Sequence, residues 1–120
     1  MITETGKLKV GALVDGKTHF DFALRGRLLR DSVDALEDDR ARTNPAYEGL
    51  LMTAKQIIKL GDLPAEKITP DLLMNLNDID MQEIMGAATR LQVRLANFRD
   101  GVEEPAKTAT GVNEGGLRAV

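Results

Sequence analysis

The chain has 120 residues, enough for one small domain, and its 42% of hydrophobic and 29% of charged residues are ordinary for a globular protein. It has no cysteine and one histidine, which excludes disulfides, zinc–cysteine sites and thiol catalysis and leaves few groups for a hydrolytic site. The net charge of -3 argues against general nucleic-acid binding, and no apolar run approaches the ~20 residues of a membrane span. We therefore expect a small, soluble, intracellular domain without catalytic activity.

The first predicted element is a β-hairpin over residues 1–26. Two alternating segments, 7–13 and 19–24, flank Asp15-Gly16, a strong turn signal. A two-residue loop at this turn would put the apolar residues of the two strands on opposite faces. A three-residue loop over 14–16 is preferred because it brings two apolar pairs onto one face, Val10 opposite Phe20 and Leu8 opposite Phe22. The other face is predicted to be wet, and it carries Lys7, Lys9, Leu13, His19 and Asp21.

Helices are predicted for residues 27–99, within the same domain as the hairpin. The first runs from Leu28 or Asp31 to Ala41, and its apolar positions include Leu28, Leu29, Val33 and Leu36. The second starts at Pro45 behind an Asn44 cap and runs to Leu60. A short third helix covers Pro70 to Leu76.

The last predicted helix runs from Met81 to about Phe98, with Asp80 and Glu83 at the spacing of a capping box. Residues 100–120 are rich in Gly, Thr and Ala and are predicted to be a disordered tail. The fold class is therefore α+β and mostly α, with an N-terminal β-hairpin packed on a small bundle of three to four helices.

Few residue clusters suggest chemistry. His19 and Asp21 could form an acid–base pair, but surface strand residues are the favoured interpretation. Asp34 and Asp38 could share a cation, but a solvated helix face is favoured. The basic residues of the first 30 positions lack the interleaved aromatic residues of a single-strand binder. No catalytic, cofactor or metal site is predicted.

The methionines point to protein binding. Methionine fills irregular gaps in a core, which is the commoner use, and it also suits adaptable binding surfaces. A helix-binding groove near the short helix and the start of the last helix is predicted, and its contact residues would be Leu73, Met74, Met81 and Met85.

Three passages resemble the tail assembly chaperones of tailed bacteriophages, in particular the Mu-like group. They are FDFALRGRLLRDSVDALED, a basic, leucine-containing crossover into an acidic helix; YEGLLMTAKQIIKLGDLPAEKITPDLLMNLNDIDMQEIM; and LQVRLANFR in the closing helix. Together they cover about residues 18–99. Many members of that family have a proline in the crossover where this chain has Gly26.

The resemblance implies a viral, non-enzymatic protein of the host cell cytoplasm that works in virion assembly. Such chaperones coat the tape measure protein and recruit tail-tube subunits, without a small-molecule substrate, nucleic acid or membrane as partner. Residues 1–30 carry an excess of positive charge, and every charged residue in 31–39 is acidic. We therefore also expect a homo-oligomer, in which these oppositely charged regions of two copies attract each other. Two alternatives stay open: a structural minor tail or connector protein of the virion, and a small DNA-binding regulator.

Overall fold

The computed structural model describes residues 2–98, so the predicted C-terminal tail at 100–120 lies outside the described residues. These residues form an α+β fold in which one antiparallel sheet of three strands, ordered β1-β2-β3, is accompanied by five α-helices. In chain order the elements are β1 (Thr3–Val14), β2 (Lys17–Arg25), α1 (Leu29–Ala35), α2 (Asp39–Thr43), α3 (Pro45–Gln56), β3 (Ile57–Leu60), a 3-10 turn (Ala65–Lys67), α4 (Pro70–Met74) and α5 (Asp78–Ala96).

The hairpin turn has two residues, so the predicted three-residue loop is wrong. Val14 pairs with Lys17, and Asp15 and Gly16 both have positive φ angles, 51° and 80°. This is the backbone of a type I′ turn, whose twist matches that of the strands it joins. The Asp-Gly signal therefore gave the right position for the turn and the wrong loop length.

A large bulge in β1 shifts the register of the hairpin between Lys7 and Ala12. Lys7 pairs with Asp21 and Ala12 with His19, so residues 8–11 lie opposite Phe20 alone. Both Leu8 and Ala12 are buried in the main core. The bulge thus buries Leu8 in the same core as Phe22. Val10 and Phe20 are 51% and 43% exposed, so the second predicted apolar pair does not face the core.

The bulge is held by a buried carboxylate of α5, about 70 residues later in the chain. Asp80, in the first turn of α5, is 0% exposed. Its Oδ1 accepts the N–H groups of Lys9 and Val10 at 2.7 and 2.9 Å, and its Oδ2 accepts that of Gly11 at 2.7 Å. The predicted capping role of Asp80 is wrong, because Asn77 caps α5 by accepting the Ile79 N–H at 2.8 Å.

The predicted second helix ends four residues early. Asn44 caps α3 as predicted, accepting the backbone N–H groups of Ala46 and Tyr47. After Gln56, however, the chain becomes β3, which pairs with β2 through Phe22 and Leu60. Pairing with the central strand therefore overrides the helical periodicity of the segment.

The first predicted helix is divided in two. Asp38 interrupts it and caps α2, since its carboxylate accepts the N–H groups of Arg40 and Ala41. The core lies between the sheet and α5, which packs across β1 and β2. Its fully buried large side chains are Phe22 and Leu24 of β2, Leu60 of β3, and Ile84 and Leu91 of α5.

Candidate interaction surface

The four predicted contact residues fall into two groups. Leu73 is only 3% exposed and belongs to the main core, and Met81 is half-buried against the same core. Met74 and Met85 are 44% and 48% exposed. The prediction that Leu73 is a surface contact is therefore wrong, because this side chain anchors α4 to the core. Of the four residues, Met74 and Met85 are the two whose side chains are largely exposed.

Each exposed methionine follows a core residue directly in the chain. Leu73 precedes Met74 at the end of α4, and Ile84 precedes Met85 in α5. The Thr69 hydroxyl fixes the start of α4 by accepting the Leu72 N–H at 3.2 Å. The backbone positions of both methionines are thus set by packed neighbours, while their flexible side chains face solvent.

Arg40 forms a charged rim beside Met74. Its Nη2 lies 4.0 Å from the Met74 sulfur, and its Nη1 lies 3.8 Å from a carboxylate oxygen of Asp71. The guanidinium also stacks on the ring of Tyr47, 4.2 Å from the centroid. An apolar partner at Met74 would therefore meet a fixed cation and a carboxylate at the edge of its contact.

Helix α1 carries its apolar residues on the outside. Leu29, Val33 and Leu36 have the spacing of a single helical face, and all three are exposed, Leu29 by 83%. The opposite face is buried through Asp31 and Ala35. The apolar face predicted at these positions is therefore present, and it faces solvent. We call Leu29, Val33 and Leu36 the α1 stripe.

An ion pair between α1 and the end of β2 explains this orientation. Arg25 donates from Nη1 and Nη2 to the two carboxylate oxygens of Asp31, each at 2.9 Å, and the Leu28 N–H adds a third bond at 2.8 Å. These bonds lower the pKa of Asp31 below its usual value, with the Arg25 bonds as the largest cause, against the opposing effect of burial. Asp31 likewise raises the pKa of Arg25.

The sequence gives one clue to this orientation that was missed. Arg25 and Asp31 are six residues apart across the crossover, and Asp31 sits opposite the leucines on the helical wheel. The two parallel bonds of such a bidentate pair fix the direction in which Asp31 points, and with it the rotation of the helix about its axis.

His19 lies at a polar cavity on the sheet and is buried, contrary to the prediction that it is wet. The cavity has a volume of about 350 Å³ and is lined in part by Lys7, Lys17, Lys59 and Asp62. The His19 Nδ1 accepts the Asp62 N–H at 3.3 Å. That bond joins His19 to the loop after β3, and Asp21 instead pairs with Lys7, so the structure does not pair His19 with Asp21.

The basic residues of the first 30 positions are largely neutralised. Four of them pair with carboxylates, Lys7 with Asp21, Lys9 with Glu83, Lys17 with Asp62, and Arg25 with Asp31. Most of these cations are therefore paired with carboxylates, whereas a DNA-binding surface requires cations that are available to phosphate groups.

Residues 2–98 contain no group of three or more His, Asp or Glu side chains placed to hold a metal ion. The Asp38 carboxylate, one of the two acids considered for a cation, is used as a helix cap. None of the helices described combines the length and apolar character needed to cross a bilayer.

The chain was compared with family models, curated proteins and solved structures. No family model, no curated protein and no solved structure matches it.

Proposed function

We propose that the protein is a non-catalytic tail assembly chaperone of a tailed bacteriophage. In this proposal it acts in the host cell cytoplasm, where it binds apolar helical segments of the tape measure protein and recruits tail-tube subunits. The sequence resemblance suggests the family, and the two exposed methionines carry the proposal that the chain binds a helix.

The exposed methionines support helix binding for a physical reason. A helical segment presents side chains of varied size along one face, and unbranched thioether side chains can adjust to that variation. Met74 and Met85 extend from helices that Leu73 and Ile84 fix to a common core. A rigid base with adjustable side chains suits a protein that must hold many different stretches of one long partner.

The polar residues favour the same interpretation. Within residues 2–98 the buried titratable side chains are engaged in the fold, with Asp80 on the β1 bulge, Asp31 on Arg25 and His19 on the loop after β3. Their hydrogen bonds hold different parts of the fold, and these three side chains do not share a site. This arrangement is expected for a binding protein.

The proposal is tested by co-expressing the chain with the tape measure protein encoded by the same phage. A soluble complex that co-elutes in size-exclusion chromatography with light scattering is expected. Replacing both exposed methionines, Met74→Glu and Met85→Glu, should reduce the recovered complex at least about tenfold, because charges would be placed in an apolar contact.

The matched control is Val93→Glu, which adds a charge at another exposed position of α5 and should leave the complex intact. A tape measure protein that stays insoluble, or equal losses from the control and from the methionine variants, would contradict the proposal. Recovery of the chain in purified mature virions would favour the structural minor tail or connector protein instead.

A further inference from the structure

The α1 stripe is flanked by one charge of each sign on the same side. Arg30 and Glu37 are seven residues apart, close to two helical turns, so they project to the same side of the stripe at its opposite ends. The chain keeps helical hydrogen bonding past Ala35, because the Leu36 N–H bonds to Ser32 and the Glu37 N–H to Asp34. Both charged residues are exposed, and neither forms an ion pair with another residue in the range 2–98.

We propose that the α1 stripe is the interface of a weak, two-fold symmetric dimer in which α1 packs antiparallel against α1 of a second copy. The α1 stripe contains neither of the two methionines used in the proposed function, so each proposal can be refuted without affecting the other.

The antiparallel arrangement follows from the charges. A two-fold axis perpendicular to both helices keeps each flank on its own side and exchanges the two ends. Arg30 of one copy then lies beside the partner's Glu37, and the same pair forms again at the other end. A parallel arrangement brings like ends together and forms neither pair.

The apolar residues fit the same symmetry. Val33 lies near the middle of the stripe and would meet its own counterpart at the axis, while Leu29 would meet the partner's Leu36. The stripe thus complements itself in both shape and charge, which is the requirement for an interface made by one patch on both subunits. Because the stripe complements itself, we assign a second copy of the chain as its binding partner.

The area available is small, so the dimer should be weak. A single short helix contributes less than the roughly 1,200 Å² of total surface that stable complexes bury. The mass of the full chain should therefore be measured by sedimentation equilibrium from about 10 µM to about 1 mM, where weak dimers form. A concentration-dependent rise from monomer to dimer is expected.

Val33→Asp should weaken the dimer at least about tenfold, because it places two carboxylates against each other at the axis. The matched control is Val93→Asp on α5, since Val93 is 55% exposed and Val33 is 57% exposed. The control should leave the dimer unchanged. Circular dichroism of both variants should match that of the native chain, because both sites face solvent.

Charge reversal tests the antiparallel geometry itself. Arg30→Glu alone and Glu37→Arg alone should each weaken the dimer about three- to tenfold, because two attractive pairs become two repulsive ones. An equimolar mixture of these two variants should form a heterodimer at least as well as the native chain dimerises, since both of its pairs are again opposite in sign. A native chain that stays monomeric to about 1 mM, a control that disrupts the dimer equally, or a mixture that stays monomeric would overturn the proposal.

Discussion

Removing the Asp80 carboxylate should cost the fold more stability than any exposed substitution. The side chain accepts three backbone N–H groups of the β1 bulge and is itself fully buried. In Asp80→Ala those three donors lose their acceptor. An unsatisfied donor costs about 1–3 kcal/mol when it is fully buried, and these three bonds are only partly buried. The simple sum gives an upper bound of about 9 kcal/mol, which water entering the vacated space would reduce.

We therefore expect Asp80→Ala to lower the free energy of unfolding by about 3–5 kcal/mol, a large part of the 5–15 kcal/mol typical of a small domain. Asp80→Asn should cost less, about 1.5–3 kcal/mol. Its one carbonyl oxygen can still serve Lys9 and Val10, but its amide group would face the Gly11 N–H as a second donor.

The assay is urea unfolding followed by circular dichroism, with the slope m compared between variants to verify that the same transition is observed. The control is Asp78→Ala, which removes an exposed carboxylate from the same first turn of α5 and should cost only about 0.3–1 kcal/mol through the helix dipole. If Asp80→Ala were no more destabilising than this control, the account of the bulge would be wrong.

Two further predictions concern the bulge and the Arg25–Asp31 pair. Gly11→Ala should destabilise the fold by about 1–3 kcal/mol, because Gly11 has a φ of 102° and an added Cβ would clash with the Thr18 methyl group. Gly49→Ala, in open space on α3, should be neutral or stabilising in the same urea assay. The lowered pKa of Asp31 means that its contribution to stability is present above its usual pKa of 3.8 and is lost as the pH falls through the lower, folded-state pKa. Unfolding measured from about pH 6 to about pH 2 should therefore show Asp31→Asn approaching the native chain in stability at the acid end, and a constant difference would contradict this assignment.

The local start signals of the fold could be predicted from the sequence. Asn44-Pro45 and Thr69-Pro70 each place a capping side chain before a proline at the first helical position, and both helices start there. Asp15-Gly16 gave the position of the hairpin turn for a similar reason, since few residue pairs adopt positive φ angles at low cost. Such signals act within a few residues and need no knowledge of the rest of the chain.

The bulge could not be predicted because its cause is distant. Asp80 lies about 70 residues after the N–H groups that it binds, and nothing near Gly11 requires a register shift of this size. The third strand was missed for the same reason. Ile57 and Leu60 suit a helix face or a strand equally well, and only pairing with β2 selects the strand.

The interaction surface shows the limit of periodicity more sharply. The spacing of Leu29, Val33 and Leu36 identified an apolar helix face correctly, but periodicity alone does not say whether such a face meets the core or solvent. The Arg25–Asp31 pair made that choice. Of the four predicted contact residues, Leu73 and Met81 lie against the core, and their positions depend on packing that the sequence does not display.

The most direct test of the proposed function measures whether a bound tape measure protein covers the exposed methionines. The chain is treated with dilute hydrogen peroxide, free and in the co-purified complex, and the oxidation rate of each methionine is followed by mass spectrometry. In the free chain Met74 and Met85 should oxidise fast and Met52, which is 7% exposed, slowly. The account predicts that Met74 and Met85 become protected in the complex while Met52 stays slow in both; unchanged oxidation of Met74 and Met85 in the complex would contradict it.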